Sequence, residues 1–184
     1  MDNGACSYRR FLDGDDGGIA EIVEEYKDGL ILFLNGYVKN IHIAEELAED
    51  TFFRLITKRP RFSGNCTFRS WLYAIGRNVA VDHIRRSSKE RVTADFDMED
   101  CRLEADLEEA YLKEESRLIL RNAINGLSAD YRNVLWLVYF EEFSNKEAGK
   151  ALKRSDRQIK NLLYRAKIAL KKKLEAEGFT YEEL

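Results

Sequence analysis

One residue in 184 is a proline, Pro60. Proline inside a helix removes a hydrogen bond and clashes with the preceding turn. A chain with a single proline is free to be helical almost throughout. The apolar spacing agrees. Over residues 19–36, Ile19, Ile22, Val23, Tyr26, Leu30 and Phe33 recur at steps mostly of three and four, the period of one helical face. Residues 41–58 continue it with Ile43, Leu47, Thr51 and Leu55. The break KRPRFSGNCT follows. A new run from Thr67 carries Phe68, Leu72, Ile75 and Val79 on one face. Residues 116–127 and 130–141 read as two further helices, the second holding VLWLVYF. No stretch shows the period-two alternation of a half-buried strand, and no internal repeat is visible. The expectation is an all-α chain of two small helical domains, 19–90 and 116–175. They are joined by a flexible acidic linker, 91–115, and flanked by tails at 1–18 and 176–184.

The net charge of -3 conceals a block pattern. Residues 13–51 carry -9, 54–91 carry +8, 95–115 carry -8 and 144–173 carry +9. Two basic segments set between acidic ones fit two footprints on a polyanion. They also fit the charged faces of ordinary helices. If the footprints are real, the acidic blocks are placed to screen them within the chain. Apolar residues make up 45%, enough for a buried core. No segment reaches the ~18 apolar residues of a membrane span. The start, MDNGACSYRRFLDGDDGG, lacks the apolar run of a signal peptide. A cytoplasmic protein without membrane insertion is expected. Cys6, Cys66 and Cys101 are far apart and form no CxxC pair, which argues against a zinc knuckle or disulfide frame. Only His42 and His83 supply imidazole, and no Ser-His-Asp, Cys-His or glycine-rich phosphate arrangement accompanies them. Nothing calls for an enzyme, a metal or a cofactor.

Residues 144–167 read SNKEAGKALKRSDRQIKNLLYRAK. Ser144 precedes Glu147 by three, and Ser155 precedes Gln158 by three. Each pair is a capping box, the mark of a helix start. Helices over 145–152 and 156–173, joined only by Lys153-Arg154 and the cap, make a helix-turn-helix. The second helix has an inner face of Ile159, Leu162, Leu163, Ala166 and Leu170. Its outer side carries Arg157, Lys160, Asn161, Tyr164, Lys167 and Lys171. A recognition helix sets its N-terminal part in the major groove, where Arg, Gln and Asn form paired bonds to base edges. Arg157, Gln158, Lys160 and Asn161 sit there.

The stretch ADYRNVLWLVYFEEFSNKEAGKALKRSDRQIKNLLYRAKIALKKKL resembles region four of bacterial RNA polymerase sigma factors, in particular the small extracytoplasmic-function (ECF) type. AEELAEDTFFRL (44–55) is similar to that family's AEDLVQEVF motif in region two. FRSWLYAIGRNVAVDHIRR (68–86) is similar to its WL-x-x-I-x-x-N-x-x-x-D-x-x-R stretch. The resemblance covers roughly 19–90 and 116–175. It implies a transcription initiation factor that binds core RNA polymerase through clamp and flap. Region two would read and melt the minus-ten element, and region four would read the minus-thirty-five element. It also implies an anti-sigma partner, with Ile168 as an outward contact, and a monomer when free.

Carried onto this sequence, the polymerase-binding residues are Glu45, Glu46, Glu49 and Asp50. In region four the DNA-binding residues are Ser155, Arg157, Gln158, Lys160, Asn161, Tyr164, Arg165 and Lys167. In region two they are Arg61, Phe62, Asn65, Phe68, Arg69, Trp71, Arg77, Asn78, Arg85 and Arg86. Bases interleaved with aromatics suit unstacked single strands, where stacking one base on a ring is worth about 1–3 kcal/mol. Phe68 and Trp71, at helical spacing, also fit the core. Asn78 and Asp82 are spaced to bond each other. The sequence departs from the family at Ala148-Gly149, where Ile-Ala is preferred, and at Lys153, where Gly is usual. Lys153 is therefore expected at positive φ. A free-standing helix-turn-helix repressor or activator would share the C-terminal motif but would not need the 44–86 constellation.

Overall fold

The structure, a computed structural model, describes residues 3–91, 120 and 122–176. Its regular elements are α1 (Asn3–Leu12), α2 (Gly17–Val38), α3 (Ile41–Lys58), α4 (Phe68–Arg91), α5 (Ala129–Tyr139), α6 (Asn145–Leu152) and α7 (Asp156–Ala176). Residues 122–125 are also helical. All of them are helices, as the single proline and the apolar period require. The linker expected over 91–115 and most of the helix expected over 116–127 lie outside the described residues.

The helix ends follow local chemistry. Lys39 closes α2 in the left-handed region at φ 54°, donating its N–H to the Asn35 carbonyl. The next residue, Asn40, is extended, and its side chain accepts from the Ile43 N–H at 3.2 Å, which starts α3. Arg59 ends α3 at φ 41°, one residue before Pro60, which cannot donate to a further helical turn.

The N-terminal segment departs from the expectation. Within the expected tail 1–18, Asn3–Leu12 form α1 and belong to the core. Tyr8 and Phe11 are buried, and the Tyr8 hydroxyl donates to the Pro60 carbonyl at 2.8 Å. The Tyr8 ring lies 5.4 Å from both Phe68 and Trp71, centroid to centroid. Full burial of such a side chain contributes about 1.5–3 kcal/mol, so α1 clamps the loop after α3 against the start of α4. Desolvation there pushes the Tyr8 hydroxyl up to about 12.

Helices α1–α4 pack around Ile22, Leu30, Phe33, Leu47, Leu55 and Leu72, and α5–α7 around Val134, Leu137, Ala151, Ile159 and Ala166. The two sets join in one continuous core. α6 lies against α4, and α5 against α2. Arg132, buried at the start of α5, sends Nε and Nη2 to the Gly36 carbonyl of α2 at 3.1 and 2.6 Å. Its Nη1 donates to the Asn125 carbonyl at 3.1 Å and to that of Leu127. Burial lowers the Arg132 pKa, and these carbonyls answer the buried charge. The ion pairs among the described residues each join partners within one set of helices. Contact between the halves runs through aromatic rings, the Arg69 guanidinium on Phe143, hydrogen bonds and close backbone approach.

Candidate nucleic-acid interface

Three surfaces carry the residues singled out from the sequence. On α3, Glu45, Glu46, Glu49 and Asp50 are all exposed. Glu46, Glu49 and Asp50 line a shallow cavity of about 450 Å³ with Leu47, Phe53, His83 and Arg86. Phe53 is 62% exposed and Ile56 43% exposed beside the acids. The sequence reading passed over both. The signal was present, since positions 46, 49, 50 and 53 share one helical face and Phe52 already fills the inward position. His42 faces Glu45 at 3.5 Å.

On the loop before α4 and along α4, the candidates divide by burial. Arg61, Asn65, Arg85 and Arg86 are exposed, and Phe62, Arg69, Trp71, Arg77 and Asn78 are half-buried. Phe68 is 0% exposed. It lies inside a ring cluster with Tyr8, Tyr26, Phe62 and Trp71, and in this arrangement offers no face to a base. The reason is its register, because Phe68 shares the inward stripe of Leu72 and Val79. Trp71 is flanked by Tyr8, Phe62 and Phe68 at 5.4, 5.2 and 5.5 Å and is half-buried. Asp82 pairs with Arg85 at 3.9 Å rather than with Asn78. Arg69 stacks its guanidinium on Phe143, 4.3 Å from the ring centroid.

The C-terminal motif takes the expected form. α6 begins with a complete capping box. The Ser144 side chain accepts from the Glu147 N–H, and the Glu147 carboxylate accepts from the Ser144 N–H at 2.9 Å. Burial would raise the Glu147 pKa, but bonds from Ser144 and from the Thr67 hydroxyl outweigh it and hold the carboxyl below its usual range. At the start of α7, the Ser155 hydroxyl accepts from the Gln158 N–H at 3.3 Å, and Gln158 Oε1 accepts from the Ser155 N–H at 2.8 Å. Lys153 sits at φ 54°, as expected of a non-glycine in this turn. The other departure meets it there. A Cβ on Gly149 would stand 2.6 Å from the Arg154 carbonyl, so alanine at 149 does not fit this turn.

Ser155, Arg157, Gln158, Lys160, Asn161, Tyr164, Arg165 and Lys167 are all exposed. Ile159 and Ala166 are fully buried beneath them. Lys160 pairs with Asp156 at 2.8 Å, and Lys167 lies over the Tyr139 ring at 5.2 Å. Gln158 spends its carbonyl on the cap, which leaves its amide N–H₂ for a base edge. Tyr139, Phe140, Tyr164 and Ile168 form exposed apolar surface on this half. Phe140 stacks on Trp136 at 4.6 Å and 10°.

A helix-turn-helix with an exposed basic outer face, docked on a helical bundle that carries a separate acidic face, defines a two-part transcription factor. Family models bear this out: Sigma-70 region 2 matches residues 22–90, and Sigma-70, region 4 matches residues 117–170. The chain is 30% identical over 173 residues to the ECF RNA polymerase sigma factor SigW of Bacillus subtilis, covering 88% of this chain and 91% of that protein. It is 29% identical over 153 residues to SigM of the same organism, covering 83% and 93%. The chain belongs to the ECF RNA polymerase sigma factors and is a transcription initiation factor with regions two and four. Among solved structures it resembles the sigma factor RpoE of Bartonella quintana in complex with the anti-sigma factor NepR. There the TM-score is 0.70 at 23% identity, over 85% of this chain and 96% of that one. It also resembles CnrH in complex with the cytosolic domain of CnrY, with TM-score 0.68 at 19% identity over 95% and 99%. No helix among the described residues is long and apolar enough to cross a membrane.

Proposed function

We propose that the four acids on α3, with Phe53 beside them, dock on the clamp of core RNA polymerase, while α4 and α7 read the two promoter elements. The single observation that carries this is the separation of surfaces. The acidic and apolar face of α3 and the basic residues of α4 and α7 lie on different helices of one chain, with Arg86 alone of the minus-ten candidates lining the same shallow cavity as Glu46, Glu49 and Asp50, so a protein and a nucleic acid can be held together. Charge complementarity of this kind favours a basic partner surface and speeds encounter. Arg61, Asn65, Arg69, Trp71, Arg77, Asn78, Arg85 and Arg86, with Phe62, form the minus-ten surface. The exposed residues of α7 form the minus-thirty-five surface, and α5–α7 meet the flap. Region two then runs over 19–90, with α1 packed against it, and region four over 116–175. The chain acts in the cytoplasm, is monomeric when free, and is held by an anti-sigma partner that covers the apolar patch with Ile168. The complex of RpoE with NepR supports that last reading.

The test is the double variant Glu46→Lys/Asp50→Lys. It should lose copurification with core polymerase while keeping wild-type helicity by circular dichroism. Wild-type yield of the polymerase complex would rule out α3 as the docking face.

A further inference from the structure

Given the reading above, in which the loop before α4 contacts the minus-ten element, we propose that α1 is a strut that sets the shape of this loop. The Tyr8 hydroxyl is its positioning group and determines base preference at that element. Tyr8 is 1% exposed, so it acts through the loop and not by touching DNA.

The loop needs support from outside itself. Residues 59–67, between α3 and α4, form neither helix nor strand. Arg61, Phe62 and Asn65 of the proposed minus-ten surface lie on it, and Arg61 and Asn65 are exposed. A group that reads a base edge must be held to within about 0.5 Å of its productive position. Without a backbone ladder of its own, the loop depends on side chains of other elements for that precision.

α1 supplies them at both ends of the loop. At the entry, the Arg59 guanidinium lies over the Phe11 ring, 4.9 Å from its centroid, and the Pro60 carbonyl accepts from the Tyr8 hydroxyl at 2.8 Å. The Pro60 φ is fixed by its ring. The bond to its carbonyl therefore sets the plane of the peptide that leads into Arg61. At the exit, the Tyr8 ring meets Phe68 and Trp71, both at 5.4 Å. Phe62, from the middle of the loop, rests on the same two rings at 5.7 and 5.2 Å. One side chain thus ties the first carbonyl of the loop to the rings that seat its centre. A phenyl ring alone would fill this core. The hydroxyl adds a directional bond, and its target is the loop.

α1 is itself anchored on the side away from the loop. The Ser7 hydroxyl donates to the Glu21 carboxylate at 2.7 Å, and Arg10 pairs with Glu21 at 2.7 Å and Asp15 at 2.6 Å. Close approach completes the seat. A Cβ on Gly18 would strike the Ser7 carbonyl, and a Cβ on Gly4 would stand 2.5 Å from the Phe68 ring. The strut therefore passes the position of α2 on to the loop.

The test uses the full chain with Tyr8→Phe, which keeps the ring and removes only the hydroxyl. Phe11→Leu takes the ring from under Arg59, keeps an apolar side chain and serves as the independent variant. Nitrogen-15 relaxation of the free chain reads the loop without DNA or polymerase. Wild-type amides over 61–66 should have order parameters near the rigid value of about 0.85, and Tyr8→Phe should lower them toward the flexible range below about 0.6. Amides of α3 and α7 should not change. Each variant is then assembled with core polymerase and transcribes a promoter library randomised over the minus-ten element. Tyr8→Phe should reduce discrimination at one position about fivefold, the equivalent of one net hydrogen bond, and Phe11→Leu should flatten the same position less. An equal loss on every promoter would make the hydroxyl merely structural and overturn the proposal. So would a loop that is flexible in the wild type, or one that loosens in Tyr8→Phe with base preference intact. Arg61→Ala and Asn65→Ala test the underlying reading in the same library. If neither alters preference at the element, the loop does not read it and the proposal falls with that reading. If either does while Tyr8→Phe does not, the strut alone is overturned.

Discussion

Regions two and four build their proposed DNA surfaces in opposite ways. Region four lays its candidates on the outer side of one helix, and all eight are exposed while Ile159 and Ala166 hold the helix from beneath. Region two grows its surface out of a ring cluster, where Trp71 and Phe62 are half in the core and Phe68 wholly so. A readout helix of the first kind separates recognition from stability. A surface of the second kind couples them, because the rings proposed to meet unstacked bases also pack the domain. Aromatic pairs of this sort add about 0.5–1.5 kcal/mol each beyond their burial.

The sharpest way to break this contrast is Phe68→Ala. The ring has no exposed area and four aromatic neighbours. Its removal should cost ~3–5 kcal/mol of stability, visible as a lowered denaturation midpoint of the full chain. Minus-ten binding should fall only in step with the fraction unfolded. A stable Phe68→Ala chain with a selective minus-ten defect would mean that the ring leaves the core when DNA binds, and the contrast would fail.

Arg157→Ala should behave in the opposite way. Arg157 is exposed, so stability should stay within about 0.5 kcal/mol of wild type. Upstream recognition should lose about 1–3 kcal/mol at particular base pairs. Lys171→Ala, farther along α7, should weaken binding to all sequences alike. A library of upstream duplexes read by sequencing after selection separates the two patterns. Equal losses across the library for both variants would reduce α7 to a phosphate clamp.

How far the sequence could be read follows the same division. α3 and α6 appear at the boundaries their apolar period and caps indicate, and the α7 surface is legible because its charges lie off a clean apolar stripe. Phe68, offered both as a DNA contact and as a core residue, lies in the core with Leu72 and Val79, as its spacing indicates. Composition suggested single-strand stacking, and register decided for the core. α1 was missed because its helix is short, with Tyr8 and Phe11 its only large buried side chains, and because Asp13–Gly18 reads as loop. The docking of the regions was not legible at all. It rests on a backbone carbonyl at Gly36 and an arginine 96 positions later, and no local pattern encodes a contact between them.

The two serine caps offer the finest test, since they are chemically alike and face different partners. Ser144 caps α6 on the side of region two, where Glu147 also takes the Thr67 hydroxyl at 3.3 Å. Ser155 caps α7 at the groove end and shares its box with Gln158. Replacing either serine with alanine removes one bond to a helix N–H and should cost about 1 kcal/mol of stability. Their effects on readout should then diverge. Ser144→Ala should leave base preference unchanged, because the Glu147 it holds faces Thr67 of region two and not the outer side of α7. Ser155→Ala should loosen the turn that fixes Gln158 and flatten preference at the base pair which that amide meets, without abolishing binding. Thermal melts establish that the two losses of stability match, and selection on the same duplex library compares the preferences. If both variants flatten the same position, or neither does, the cap of α7 acts only through folding and the recognition helix does not depend on it for register.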